Sequence, residues 1–236
     1  MRAKAIKTRI FQPGENLVDF IAEHVSTLAE RDVLVVTSKI AALSENRLVP
    51  YESEEQKEAL IKQESDFAVR TPYAWLTIKD NMVVASAGID SSNANGHLIL
   101  LPKNSHKLAH ELRHKLKEQY GIKDLGVLII DSRIMPMRRG ALGMAFGYAG
   151  FKGLYSYVGK PDLFGRPLKV SRTNIADSLA TTSTLLMGEG SESQPLALIS
   201  EMDLEFTDEP IPADELRITF EEDMYGPLFR ATKNEK

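Results

Sequence analysis

The residues best suited to chemistry are oxygens and cations on short polar runs, together with one histidine pair. The run HELRH at 110–114 has the His-Glu-x-x-His spacing in which two histidines one helical turn apart bind zinc and the glutamate activates water. His106 extends that spacing, but Leu108, Leu112 and Leu116 form the apolar stripe of the same helix. His110 then falls about 200° round the helix from its neighbours in that stripe. With Lys107, Arg113, Lys115 and Lys117 around the pair and no histidine after His114, a solvated basic face accounts better for the run than a zinc peptidase centre. The other candidates are hard-oxygen ligands: Asp90 and Asn93 in GIDSSN, and Asp131-Ser132 directly after the apolar GVLII. A carboxylate exposed where a buried strand ends suits a divalent cation that carries phosphates, while the competing reading makes these residues turn formers and caps. Arg133, Arg138 and Arg139 follow Asp131 closely, and Lys160, Arg166, Lys169 and Arg172 crowd the stretch 159–174. Arginine pairs bidentately with phosphate or carboxylate, so these cations are candidate anion partners, or else members of surface ion pairs.

The elements that must hold these groups can be read from apolar spacing. Leu17, Phe20, Ile21, Val25 and Leu28 recur as on a helix, followed by a buried strand at Val33–Thr37. Residues 52–66 read as a surface helix ending before Thr71-Pro72. Trp75–Lys79 and Met82–Ser86 read as a hairpin closed by Asp80-Asn81, and residues 88–96 as a loop. A strand at Leu98–Leu101, a helix from about Ser105 to Gln119, and a strand Gly126–Ile130 ending in Asp131 come next. The glycines of 133–167 imply alternating strands and turns, Asn174 and Asp177 start a helix that stops at Gly188, and Pro195–Ser200 is a strand. From Glu201 to Asp223 ten acidic residues accompany a single base, Arg217. That segment should lie largely in solvent, with Leu216, Ile218 and Phe220 alternating as an edge strand.

Hairpins mixed with strand-helix-strand units predict an α+β fold: mixed, largely antiparallel sheets with packed helices. The 236 residues suit one unit spanning 1–236, or two interleaved α/β lobes, with 201–236 as an acidic C-terminal segment. A formal charge of -4 supplies no general field toward nucleic acid or anionic lipid, so neither nucleic acid nor membrane is an expected partner. The absence of cysteine excludes disulfides, thiolate metal sites and thiol nucleophiles. No stretch approaches the roughly 18 apolar residues of a membrane span, which makes a cytoplasmic location the expectation. Neither GxxxxGK[ST] nor a GxGxxG following a strand occurs, so both familiar phosphate cradles are missing.

Taken in order, VLVVTSK (33–39), AGIDSSN (87–93), LLP (100–102), IIDS (129–132), RRG (138–140), GKPDLFGRPLKV (159–170), ADSLA (176–180) and LLMGEG (185–190) resemble the coenzyme F420:L-glutamate ligase family over roughly residues 5 to 200. The resemblance implies a homodimeric enzyme that lacks a P-loop fold. It would add L-glutamate through a γ-linkage to a coenzyme-like acceptor, using GTP (or ATP) and Mg²⁺ or Mn²⁺. It further implies Asp90 and Asp131 as ligands of a first metal and Ser132 of a second. Thr8, Arg9, Ile10, Phe11, Ser38 and Asn93 would be nucleotide contacts, with Lys39 a nearby cation, while Arg138, Arg139, Lys160 and Arg166 remain phosphate or substrate candidates. Two departures bear on the substrate. ALSENR places Leu43 where the family commonly has Lys, and DSRIMP lacks the family's Gly-Arg after the Asp-Thr. Both fit a bacterial side branch of folate-type γ-glutamate ligases as well as a deazaflavin enzyme. A nucleotide-binding homologue without turnover is the alternative from another class.

Overall fold

In the computed structural model the described residues are 1–219 and 221–228. The chain begins with β1 (Arg2–Ile6) and then α1 (Leu17–His24), which Asn16 caps by accepting from the Val18 and Asp19 amides. Phe20 and Ile21 of α1 are buried, which is what makes so short a helix stable. β2 (Asp32–Thr37) runs directly into α2 (Ser38–Ser44), with no loop between them. An excursion follows: β3 (Leu48–Pro50), α3 (Glu54–Gln63), β4 (Phe67–Arg70), β5 (Trp75–Lys79), β6 (Met82–Ala85) and β7 (His97–Ile99). The chain returns through α4 (Ser105–Tyr120), β8 (Leu125–Ile134) and β9 (Ala141–Ala149). It closes with β10 (Leu154–Ser156), β11 (Arg172–Asn174), α5 (Ile175–Met187) and β12 (Leu196–Ser200).

The main sheet has the order β1-β12-β2-β8-β9, with β2 and β8 parallel and the other neighbours antiparallel. Side chains alternate across it as the pleat demands. Leu34, Val36, Val127, Ile129, Leu196 and Leu198 join Phe20, Ile21, Leu112 and Leu116 in one core on the α1 and α4 side. Val33, Val35, Leu128, Ile130, Ala197 and Ile199 join Leu179 and Ala180 on the α5 side. Both faces are covered, and so the central strands read as unbroken apolar runs. The excursion builds the pair β3-β7 and the meander β4-β5-β6. The meander is tied to the sheet where Val84 and Leu101 meet Met144 and Phe146. The architecture is α+β with mostly antiparallel sheets, as the sequence predicts.

Several local expectations hold, among them the Asp80-Asn81 hairpin, whose two residues have φ of 51° and 60°, the signature of a twisted two-residue turn. Others are corrected. Helix α3 stops at Gln63 and residues 67–70 form β4, because Phe67, Ala68 and Val69 pair antiparallel with Ile78, Thr77 and Leu76 of β5 instead of extending the helix. Asp131 does not terminate its strand: β8 continues to Ile134, paired with β9 through a register shift between Ile129 and Ile130. Leu216 lies in a turn and Ile218 in no regular element, rather than in an edge strand, and Phe220 lies outside the described residues. Part of the acidic segment is docked instead of solvated. Asp208 accepts from Arg113 (2.6 Å) and Lys117 (2.8 Å), which pull its carboxyl down to about 2, and Glu215 accepts from the Gly153 amide (2.9 Å).

The histidine helix also turns differently from the expectation. In α4 the buried residues are Ala109, Leu112, Arg113 and Leu116, so the core side is rotated toward Arg113, which donates to the Leu125 carbonyl at 2.7 Å. His106 and His110 are half-buried rather than outward, with the His106 ring tilted against Tyr148 at 5.3 Å between centroids. His114 is exposed beside Glu118, and Glu111 faces Lys107.

Candidate functional site

The parallel pair β2 and β8 ends on one side of the sheet, and there a cleft of about 1160 Å³ opens between α2, the Thr8–Pro13 segment, the 90–95 loop and the 187–195 loop. Crevices beyond the carboxyl ends of parallel strands are common ligand sites, because adjacent chains diverge there and leave side chains standing on a rigid floor. Ser38 is placed by the direct passage from β2 to α2, and Asp131 by its position one residue past Ile130, the partner of Thr37. The Ser38 hydroxyl donates to Asp131 Oδ2 at 2.8 Å and the Ser132 amide donates to Oδ1 at 2.8 Å. Asp90 is fixed from the other side by a bridge to Ile99 in which each residue's amide donates to the other's carbonyl.

Lys39 joins the two sides. Its Nζ donates to Asp90 Oδ2 at 2.7 Å, to the Ser92 carbonyl at 2.9 Å and to the Ser92 hydroxyl at 3.2 Å. Ser92 in turn donates to Asp90 through its amide (2.7 Å) and hydroxyl (2.5 Å). These contacts set the two carboxyls apart. Burial alone would raise Asp90, but Lys39 and the two Ser92 donors outweigh it and hold the carboxyl below its ordinary value. For Asp131 burial wins over the Ser38 and Ser132 hydrogen bonds, and its carboxyl is pushed up to about 6, with the nearby Asp90 charge adding to the rise.

The candidates implied by the family resemblance converge here. Thr8, Arg9, Ile10, Phe11, Ser38, Lys39, Asp90, Asn93, Asp131 and Ser132 all line this cleft. Asn93, at φ 52°, donates from Nδ2 to the Gly190 carbonyl at 3.0 Å and so ties the 90–95 loop to the loop after α5. Thr8 is anchored to the same loop by its amide, which donates to the Ser193 carbonyl at 2.9 Å. The Arg9 guanidinium, however, is committed to Glu15 and Glu23 and lies over the Phe20 ring, so this stretch offers its backbone and the exposed Ile10 side chain rather than a free cation. Leu43 is half-buried against both apolar clusters at this end of α2 and presents an apolar wall.

Four cation candidates are not brought into the cleft. Arg138 and Arg139 are exposed in the turn between β8 and β9. Lys160 sits 4.4 Å from the Tyr155 ring centroid, and Arg166 pairs with Asp162 at 3.2 Å, each serving its own loop. Residues that sequence reasoning passed over include Ser92, Thr184 and the 189–194 stretch. Ser92 was visible inside GIDSSN. Thr184 could be found only once α5 was oriented.

Oxygen donors dominate the floor: two carboxylates and the hydroxyls of Ser38, Ser92 and Ser132. Among the described residues no three His, Cys, Asp or Glu side chains gather on one point. This donor set fits a small divalent cation that takes one or two carboxylates and completes its shell with phosphate and water, and it is ill suited to a closed protein cage. The lysine ammonium on Asp90 marks where positive charge is already stabilised. Nothing comparable surrounds HELRH, where His114 points to solvent and Glu111 is engaged by Lys107.

Against known proteins, the sequence profile described as F420-0:Gamma-glutamyl ligase matches residues 5–201. A coenzyme F420:L-glutamate ligase of Methanococcus maripaludis (strain C7) is 33% identical over 208 residues, covering 80% of this chain and 84% of the relative. The protein of the same name from Methanopyrus kandleri is 32% identical, covering 80% and 82%. That from Archaeoglobus fulgidus is also 32% identical, covering 80% and 83%. No helix among the described residues is long and apolar enough to cross a membrane.

Proposed function

Since the chain belongs to the F420-0:gamma-glutamyl ligase family, we propose that it is a nucleotide- and divalent-metal-dependent γ-glutamyl ligase acting on a coenzyme-like carboxylate of deazaflavin or folate type. The observation that carries this reading is the meeting of Asp90, Asp131, Ser38, Lys39 and Asn93 in one cleft where the pairing of β2 with β8 ends. Asp90, Asp131 and Ser132 would hold Mg²⁺ or Mn²⁺, which supplies neutralisation of phosphate charge. Chemically, an oxygen of the acceptor carboxylate attacks the γ-phosphorus of GTP or ATP and the nucleoside diphosphate leaves. The glutamate amine then attacks the acyl carbon, loses a proton, and inorganic phosphate leaves as the amide forms.

For the protein this is positioning and charge stabilisation, and it requires no side-chain nucleophile. Thr8–Phe11 and Asn93 border the space for the nucleotide, and the Asn93–Gly190 hydrogen bond keeps the two loops in register around it. Lys39 steadies Asp90 and adds positive charge where phosphate would lie. The homodimer implied by the resemblance gains support from Leu163, Phe164 and Val170, which are exposed on the 155–172 excursion and would be covered by a second copy. Sedimentation equilibrium tests that point, a monomer at micromolar concentration being the contrary result.

The deciding experiment incubates the full chain with GTP or ATP, Mg²⁺ or Mn²⁺, L-glutamate and either a deazaflavin or a folate-type carboxylate. The expected result is phosphate release together with an acceptor heavier by one glutamyl unit. Nucleotide binding with no mass gain on either acceptor class would reduce the protein to a binding homologue. No metal-dependent nucleotide binding at all would remove the cleft from consideration.

A further inference from the structure

Arg133 stands two residues beyond Asp131 on β8 and so faces the same side of the strand, yet it lines a different cavity. This second cavity, about 310 Å³, lies between β9, the β5-β6 hairpin and the 213–225 segment. Met144, Phe146 and Tyr148 provide apolar surface, while Arg133, Arg217 and His106 provide the cationic and polar groups. The guanidinium of Arg133 is poorly satisfied. Its Nε is buried without an acceptor, one terminal nitrogen is 3.7 Å from Met144 Sδ, and the other is 3.8 Å from Asp177 Oδ2. Asp177 is already occupied, accepting from the Ala145 amide and from Asn174 Nδ2, both at 2.8 Å.

His106 Nδ1 is likewise buried without a partner. Burial, and after it the Arg217 charge, lower the His106 pKa, so the ring facing this cavity stays a neutral polar group. Among the described residues the Arg217 guanidinium makes no ion pair, although Asp223 borders the same cavity and accepts from the Tyr225 amide at 2.9 Å. Two under-used arginines beside an apolar surface form a receptor for a carboxylate attached to an apolar group, because a planar fork satisfies the anion and the surface covers the rest. Arg217 lies beyond residue 201, where the family match ends, so one side of this cavity is built by a segment outside the family region.

We propose that this second cavity binds a small aromatic carboxylate, its ring against Met144 and Phe146 and its carboxylate between Arg133 and Arg217. The site is separate from the nucleotide cleft and does not depend on the ligase reading. Isothermal titration of the full chain with benzoate, with the neutral isostere benzamide as comparison, tests it. Benzoate should bind saturably, benzamide about tenfold or more weaker, and Arg217→Met should lose a similar factor with its melting temperature unchanged. Adding Mg²⁺ and GTP should not displace benzoate. The proposal is overturned by no saturable benzoate binding, by equal affinity for benzamide, by unchanged affinity in Arg217→Met, or by displacement with nucleotide, which would place the anion in the main cleft. The benzoate-benzamide comparison requires no variant and stands even if the substitution perturbs the 213–225 segment.

Discussion

Replacing Asp131 with Asn separates a ligand-binding role from a structural one, because the two give opposite signs for stability. In the folded protein the carboxyl is raised from 3.8 to about 6, mainly by burial. In the unfolded chain it titrates near its ordinary value of about 4. A carboxyl raised on folding contributes most below the unfolded value, and that contribution is lost as pH rises through the folded one, since the ionised form is then the poorly solvated one. A shift of about two units corresponds to about 3 kcal/mol at most, lost between about pH 4 and about pH 7. Asn keeps the shape and one acceptor oxygen for the Ser132 amide, and its amide can donate to the Ser38 hydroxyl if that group rotates.

Without ligands, therefore, Asp131→Asn should be as stable as the parent at about pH 4 and more stable, by up to about 3 kcal/mol, at about pH 8. Urea denaturation at several pH values measures this directly. The same variant should lose metal-dependent nucleotide binding, read by calorimetry with Mg²⁺ and GTP, because the charge that would face the cation is gone. Two results would refute the reasoning. Retained metal-dependent binding would take Asp131 out of the site, and a loss of several kcal/mol at about pH 8 would mean that the ionised carboxylate is a structural anchor.

Two further outcomes are expected. Combining His110→Gln with His114→Gln should leave ligase activity and folding nearly unchanged, since His114 is solvent-exposed and burial and the Arg113 charge lower the pKa of His110, leaving it neutral as Gln is. Metal analysis finding one tightly bound zinc in the parent, lost from the double variant, would restore the peptidase reading. Leu43→Lys should cost about 1 kcal/mol of stability, because half of an apolar contact is given up. It should change nucleotide affinity little while Lys39 supplies the charge, and a gain well beyond tenfold, about 1.4 kcal/mol, would show that the native cleft is a weakened one.

What could be read in advance depended on how local the cause was. The cleft was legible because its parts are short motifs whose order is distinctive: GIDSSN, IIDS and VLVVTSK each deliver one wall. Central strands such as Val33–Thr37 declared themselves by continuous apolar runs, since both faces of the sheet are covered. What failed depended on partners distant in sequence. The rotation of α4 toward Arg113 is set by the Leu125 carbonyl and Asp208, and neither can be inferred from the helix's own pattern.

The glycines of 143–150 show the same limit from the other side. The number of glycines across 133–167 correctly argued against an uninterrupted helix, but for Gly143 and Gly147 the reason lies in packing. A Cβ on Gly143 would sit 2.2 Å from the Ala180 carbonyl oxygen, and one on Gly147 would sit 2.2 Å from the Ser105 carbonyl carbon. Strand β9 is thus clamped between α5 and α4 at distances only glycine permits. That closeness seats Asp177 of α5 beside the Ala145 amide and brings Thr184 to the main cleft. The same helix therefore borders both cavities, at Asp177 and at Thr184, seven positions and about two helical turns apart. The α5 side of each cavity is thus set by a glycine contact, while the polar motifs supply the other walls of the main cleft.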